Sequence, residues 1–133
     1  MEQVHHGRGY VYRLQYHIVW CTKYRRKALV GAVREMAIAA LHEIALNQGA
    51  YVVAHEVMPG HIHILVDCQP QHYLPRLIQT LKGSLAFRLF GEYNYLRTVF
   101  RRGHLWNPSY FVATVSENTA EQVRRYIETQ TSR

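Results

Sequence analysis

YVVAHEVMPGHIHILV, residues 51–66, is the stretch of sequence that decides the fold. Pro59-Gly60 lies inside it and fits the central pair of a tight turn. The residues on both sides are rich in the β-branched and apolar types that favour strands. Two such runs joined by a short turn predict an antiparallel hairpin, with strands over 51–58 and 61–66.

The rest of the chain alternates between strand-like and helix-like spacing of apolar residues. We expect a strand over 10–20, a helix over 29–47, the hairpin, a helix over 74–85, a long loop over 91–109, a strand over 110–115 and a helix over about 119–131. This order predicts an α+β, ferredoxin-like fold, in which a four-stranded antiparallel sheet carries helices on one face and a C-terminal helix follows. The other face of such a sheet is available for a ligand. A length of 133 residues suggests a single domain over 1–133.

The charge of the chain points to a polyanionic partner. Lysine and arginine number 16 against 9 acidic residues, which gives a net charge of +7. Such an excess favours nucleic acid, although a merely basic soluble protein would show the same charge. No stretch has membrane-spanning length and no apolar signal segment opens the chain, so we expect a cytoplasmic protein with no membrane partner. Cys21 and Cys68 lack metal-binding spacing and are expected to be small buried residues at strand ends.

His61 and His63 are expected to share the open face of the sheet. They alternate with Ile62 and Ile64, and residues two apart in a strand point the same way. Their backbones would lie about 7 Å apart, so that two ring nitrogens can converge on one metal ion. The chain holds nine histidines, and a pair that binds nothing is as good an explanation. Two imidazoles are also an incomplete site, which needs further ligands.

Tyr126 and Gln130 are one turn apart on the predicted final helix and project side by side. The carbonyl oxygen of Gln130 suits a hard cation such as Mg²⁺ or Mn²⁺. The hydroxyl of Tyr126 could reach a phosphorus centre held by that cation. On its own, a packing role for Tyr126 is the simpler explanation, because the chain has ten tyrosines.

Five stretches, in this order along the chain, resemble the HUH-type single-tyrosine transposases that move small insertion sequences as single-stranded DNA. They are YHIVWCTKYR at 16–25, VMPGHIHIL at 57–65, LKGS at 81–84, LWNPSY at 105–110 and YIETQ at 126–130. The resemblance covers nearly the whole chain. It implies that His61 and His63 bind a divalent metal ion, with Gln130 as a third ligand and Tyr126 as the nucleophile.

The resemblance also implies the reaction and the partners. The expected activity is metal-dependent cleavage and rejoining of single-stranded DNA through a 5′-phosphotyrosine intermediate, with Mg²⁺ or Mn²⁺ as the cofactor. The expected DNA carries hairpins at the ends of the element. The expected assembly is a homodimer, in which the final helix can dock on the partner subunit. Two positions depart from the family pattern: Gly60 stands where Asp is often found, and Thr129 where Asn is common.

Seven basic side chains are candidates for contacts with the DNA backbone, although a solvated charged surface would have the same composition. They are Arg13, Lys23, Arg25, Arg26, Lys82, Arg101 and Arg102. Three other functions stay open: a non-catalytic ferredoxin-like nucleic-acid-binding protein, a metal-dependent hydrolase that uses water, and a domesticated relative that processes chromosomal repeats.

Overall fold

The computed structural model describes residues 5–7, 10–12, 14–115 and 119–130, so the predicted DNA contact Arg13 lies outside the described residues. The strands are β1 (His5–Gly7), β2 (Tyr10–Tyr12), β3 (Leu14–Cys21), β4 (Tyr51–Met58), β5 (His61–Cys68) and β6 (Phe111–Thr114). The helices are α1 (Gly31–Asn47), α2 (Leu74–Glu92), α3 (Leu96–Val99) and α4 (Thr119–Thr129). Short 3₁₀ turns cover Lys23–Arg25 and Arg101–Gly103.

The main sheet has four antiparallel strands in the order β4-β5-β3-β6, which confirms the predicted fold class. The hairpin predicted over 51–66 forms β4 and β5, with Pro59-Gly60 at the turn. The strand predicted over 10–20 is divided, because the pairing of β3 with β5 ends at Leu14 and Cys68. Of the described residues before Leu14, those of β2 pair with β1 in a separate two-stranded sheet and not with the main sheet.

One face of the sheet is buried beneath α1 and α2. Ile62 and Ile64 of β5 are fully buried there, as the alternation predicted. Leu41 of α1 and Leu85 of α2 pack against the same cluster. Truncation of a side chain buried this well lowers the free energy of unfolding by about 2–5 kcal/mol. The packing of α1 and α2 on the sheet therefore fixes the positions of the strands that carry the site.

The opposite face of the sheet carries α4, which packs on β3 and β6. Val123 anchors the helix and is almost fully buried. The ligand-accessible face predicted for the sheet is thus partly covered by the helix that carries Tyr126. Across the ranges that the structure describes, no helix combines the length and the apolar character needed to span a bilayer.

The segment predicted as a loop over 91–109 is more ordered than expected. Helix α2 continues to Glu92, and α3 follows within the same stretch. Leu96 and Phe100 are buried and tie this segment to the core. The sequence does not predict α3, because four residues give too little apolar periodicity to be recognised.

Candidate functional site

His61 and His63 lie on the face of β5 that α4 covers, and both are partly exposed. The sheet register places Glu56 of β4 directly opposite His63. On the other side, Nδ1 of His17 on β3 lies 2.9 Å from Nε2 of His63. The two imidazoles are therefore flanked by a third imidazole and a carboxylate, all held by neighbouring strands.

A cavity of about 560 Å³ opens between this strand face and α4. The histidine pair and Glu56 form one wall, and the opposite wall comes from one side of the helix. The helix residues that line the cavity are Val123, Arg124, Ile127 and Glu128. The space between sheet and helix is large enough for a small ligand group beside the imidazoles.

The surroundings of both histidines favour the neutral imidazole. Burial lowers the pKa of His61 below its usual value, Glu56 opposes this effect and the charge of Arg25 adds to it. Burial likewise lowers the pKa of His63, with a further contribution from His17. Neutral imidazole is the form that binds metals, so both side chains fit the predicted role of ligands. That role stays a prediction.

Tyr126 and Gln130 are brought together, but on a different side of α4. The hydroxyl of Tyr126 lies 2.8 Å from Oγ of Ser109, and the same Oγ lies 3.2 Å from Oε1 of Gln130. Tyr126 also packs against the ring of Phe111. At about 100° per residue, Tyr126 lies roughly a third of a turn from the middle of the helix side that lines the histidine cavity.

The described part of the chain thus holds a two-histidine site and a separate tyrosine–glutamine site. It contains no cluster of three or more His, Cys, Asp or Glu side chains arranged to hold a metal ion. Gln130 is buried against Ser109 and is absent from the lining of the histidine cavity. Within one chain in this arrangement, the predicted third ligand and the predicted nucleophile do not face the histidine pair.

Gly60 precedes the strand that carries the histidines and packs against the basic turn over 23–25. A Cβ atom at Gly60 would lie 2.8 Å from the carbonyl oxygen of Arg25, closer than real side chains approach. The carbonyl of Gly60 also accepts a hydrogen bond from the backbone N–H of Thr22 at 3.0 Å. A side chain at this position, including the Asp that the family resemblance leads us to expect, would therefore require the turn over 23–25 to shift.

Four of the predicted DNA contacts meet at one cleft. Lys23, Arg26, Arg101 and Arg102 line a space of about 660 Å³, together with Tyr24 and His104. This basic cleft brings together charges that are about 75 residues apart in sequence. It is a suitable surface for a phosphate backbone, and the assignment itself remains a prediction.

The remaining two described candidates are placed elsewhere. Arg25 lines the histidine cavity and donates a hydrogen bond from Nη1 to the carbonyl of Ile127 on α4. Lys82 is partly buried, with Nζ close to the carbonyl oxygens of residues 107–109.

Two members of these sites, Ser109 and Glu56, are not predicted from the sequence. Ser109 belongs to the LWNPSY stretch, and nothing in its spacing indicates a contact with Tyr126. A register of β4 against β5 counted outward from the Pro59-Gly60 turn would have placed Glu56 opposite His63.

Comparison with known proteins gives one consistent result. The family described as "Transposase IS200 like" matches residues 10–130. The ISDra2 transposase TnpA of Deinococcus radiodurans is 48% identical over 124 residues, which are 93% of this chain and 89% of that protein. The transposase for insertion sequence element IS200 of Salmonella typhimurium is 30% identical over 116 residues, 87% of this chain and 76% of that protein.

Two solved structures are similar to the whole fold. A crystal structure of a protein from Deinococcus radiodurans R1 assigned as a transposase has a TM-score of 0.90 and 46% identity, and the match covers 95% of this chain and 97% of that one. A REP-associated tyrosine transposase bound to a REP hairpin has a TM-score of 0.57 and 12% identity, with coverage of 90% and 67%. The second likeness concerns the fold alone.

Proposed function

The chain belongs to the family of IS200-like transposases, and from that premise we propose that it cuts and rejoins single-stranded DNA through a covalent bond to Tyr126. The observation that carries the proposal is the position of α4. One side of this helix carries Tyr126, and another side forms a wall of the cavity over the two imidazoles. A transposase must break and re-form phosphodiester bonds, and these are the groups in the described chain best suited to that chemistry.

The proposed cleavage is a transesterification. The phenolic oxygen of Tyr126 attacks the scissile phosphorus, the bond from phosphorus to the 3′ oxygen breaks, and the departing 3′ oxygen takes up a proton. The phenol gives up its own proton, so protons balance. The product is a 5′-phosphotyrosine and a free 3′-hydroxyl. A 3′-hydroxyl can later attack the phosphotyrosine and release the phenol, so no external energy source is required.

His61 and His63 would hold a divalent cation, Mg²⁺ or Mn²⁺, and Gln130 is the proposed third ligand. When bound, such a cation polarises the phosphate and offsets the charge that develops on its oxygens. The chain's own contribution is to keep the two imidazoles neutral and fixed. Burial lowers their pKa values, and the contact with His17 restrains the ring of His63.

The active form is proposed to be a homodimer. In one chain, Tyr126 and Gln130 face Ser109 and not the histidine cavity. A complete site therefore requires α4 to move, or requires the histidine pair to meet α4 of a second chain.

Single-stranded DNA with hairpin ends is the proposed partner. The basic cleft offers four cations and an exposed tyrosine ring, Tyr24, to an unpaired strand. The REP-associated transposase of similar fold is described as bound to a hairpin, which favours a structured DNA end over an unstructured strand.

The test is to incubate the full chain with end-labelled single-stranded DNA and Mn²⁺ and to isolate adducts that survive denaturation. Peptide mass mapping is expected to place the DNA on Tyr126, and Tyr126→Phe is expected to form no adduct. Tyr95→Phe removes an exposed tyrosine hydroxyl from the flank of α3 and is the matched control. An adduct on another tyrosine contradicts the assignment, and free 5′-phosphate ends without an adduct favour a hydrolase.

A further inference from the structure

Two of the sequence stretches have no role in the proposed reaction, although they meet in space. LKGS, residues 81–84, belongs to α2, and LWNPSY, residues 105–110, precedes β6. The indole Nε1 of Trp106 donates to the backbone carbonyl of Lys82 at 2.8 Å. In return, Nζ of Lys82 lies 3.0 Å from the carbonyl oxygen of Asn107, 3.4 Å from that of Pro108 and 3.2 Å from that of Ser109.

The donors of Lys82 are fully used by this loop. A lysine ammonium has three N–H donors and no acceptor. Three carbonyl oxygens lie within hydrogen-bond distance, so each donor has a partner inside the protein. The side chain is also partly buried. A contact between Lys82 and a DNA phosphate would compete with these carbonyl oxygens for the same donors.

The loop in turn fixes the hydroxyl of Ser109. The backbone N–H of Ser109 donates to Oδ1 of Asn107 at 3.1 Å, which sets the orientation of that amide. The same Oδ1 lies 3.0 Å from Oγ of Ser109. Asn107 is almost fully buried, so its amide has little freedom to move.

The direction of the bond from Tyr126 follows from counting protons. Ser109 has one hydroxyl proton, and its carbonyl-type neighbours, Oδ1 of Asn107 and Oε1 of Gln130, can only accept. When the hydroxyl proton of Ser109 is directed to one of them, the network makes the most hydrogen bonds with Tyr126 as the donor in its 2.8 Å contact with Oγ of Ser109.

We propose that Lys82 is a positioning residue for Tyr126: by gathering the carbonyls of residues 107–109, it fixes the Ser109 hydroxyl that holds the phenol of Tyr126 and the amide of Gln130. The importance of this hydrogen-bond network for catalysis rests on the proposed function, whereas the network itself is a feature of the structure. The hydrogen bonds connect the middle of α2 with the proposed nucleophile through the loop over 105–110. The stretches LKGS and LWNPSY then act together in positioning Tyr126.

The test uses the full chain labelled with ¹³C in its tyrosine rings, without DNA or metal, so that no activity is needed for the first readout. The ring resonance of Tyr126 is assigned by its disappearance in Tyr126→Phe. Lys82→Met and Ser109→Ala are both expected to shift this resonance, and the double variant is expected to resemble the single variants, because both act through one hydroxyl. Arg76→Met removes an exposed cation from the same helix and is expected to leave the resonance unmoved.

The second readout is the rate of adduct formation against DNA concentration. In a homodimer in which the histidine pair of the partner subunit approaches Tyr126 where it lies, Lys82→Met is expected to lower the rate at saturating DNA about tenfold, as for the loss of about one hydrogen bond in the network. The DNA concentration needed for half-saturation is expected not to change. Weaker DNA binding with an unmoved Tyr126 resonance would overturn the proposal and restore Lys82 as a DNA contact.

Two further outcomes are distinguishable. If Tyr126→Phe still forms adducts, the proposed function fails, whereas a shift of the Tyr126 resonance in Lys82→Met would still support the arrangement. If Lys82→Met does not fold, Lys82→Gln keeps two donors on a shorter side chain and is measured in the same way. A wild-type resonance in that folded variant overturns the proposal.

Discussion

The guanidinium of Arg25 donates from Nη1 to the backbone carbonyl of Ile127 over 3.0 Å. The carbonyls in the last turn of a helix lack intrahelical donors, and a cation suits that negative end of the helix. Arg25 itself has a left-handed backbone, with φ of 52°. The basic turn after β3 therefore fastens α4 next to Tyr126, in addition to the contact made by Ser109.

Arg25→Met is expected to loosen α4 without unfolding the protein. Loss of one hydrogen bond to a charged donor costs about 1.5–3 kcal/mol, so amides of residues 121–130 should exchange with solvent about ten to a hundred times faster. Hydrogen exchange with mass spectrometry measures this change. Arg76→Met, on the exposed side of α2, is the control. Unchanged exchange in α4 would show that the contact does not hold the helix.

Gly60→Ala is expected to destabilise the fold, because the added methyl group would meet the carbonyl oxygen of Arg25 at 2.8 Å. Overpacking of this kind lowers the free energy of unfolding by about 1–3 kcal/mol. Gly83→Ala is a matched control, since a Cβ there meets nothing within 4 Å and lies inside α2. The control should gain up to about 1 kcal/mol from helix propensity. Urea denaturation measures both variants, and equal stability of the two would contradict the steric argument.

The metal-free protein is expected to lose stability as the pH falls from 7 to 5. Burial lowers the pKa values of His17, His61 and His63 below the usual 6.5. The unfolded chain then binds protons more readily than the folded chain, so stability is fully present above pH 6.5 and declines below it. His63→Gln should flatten this profile, while His104→Gln, at an exposed loop position, should not. A profile independent of pH in the wild type would refute this linkage.

Arg101→Ala is expected to weaken the binding of single-stranded DNA and to reduce its salt dependence. Removal of one phosphate contact lowers the slope of log K against log salt by about 0.7 for single strands. Fluorescence anisotropy at several salt concentrations measures the slope. Arg76→Ala removes a cation outside the basic cleft and should leave the slope close to that of the wild type. Equal slopes for the two variants would remove Arg101 from the proposed DNA surface.

Lys82 is expected to make the stability of the protein depend on pH in the alkaline range. Burial lowers the pKa of its ammonium to about 8, against an opposing contribution from Cys21. Between pH 8 and the value of about 10.4 for a free lysine, the unfolded chain binds more protons than the folded one. The stability of the wild type relative to Lys82→Met should therefore rise with pH in that interval. Urea denaturation from pH 7.5 to 9.5 measures the difference, and a falling difference would contradict the direction of the shift.

The fold could be predicted because its strands carry strong local patterns. The alternation of Ile62 and Ile64 with the histidines specified which face of β5 is buried, and the Pro59-Gly60 turn specified its partner. The contact between Ser109 and Tyr126 could not be predicted, since it depends on where α4 lies on the sheet and not on the spacing of either residue.

The same limit applies to the histidine site. His17 and His63 are 46 residues apart, and only the pairing of β3 with β5 brings their rings into contact. Lys82 illustrates a second limit, because sequence shows a charge but not its partners. A basic side chain whose donors are satisfied by carbonyls is indistinguishable, in sequence, from one that is free to bind phosphate.

The two cysteines make the protein convenient for optical experiments. Cys21 and Cys68 are the only cysteines of the chain, and both are buried free thiols. Burial raises the pKa of each to about 11, so at neutral pH almost none is present as the thiolate that reacts with maleimides. A dye attached to a cysteine introduced on the outer surface of α4 would therefore report on that helix alone, against the native background.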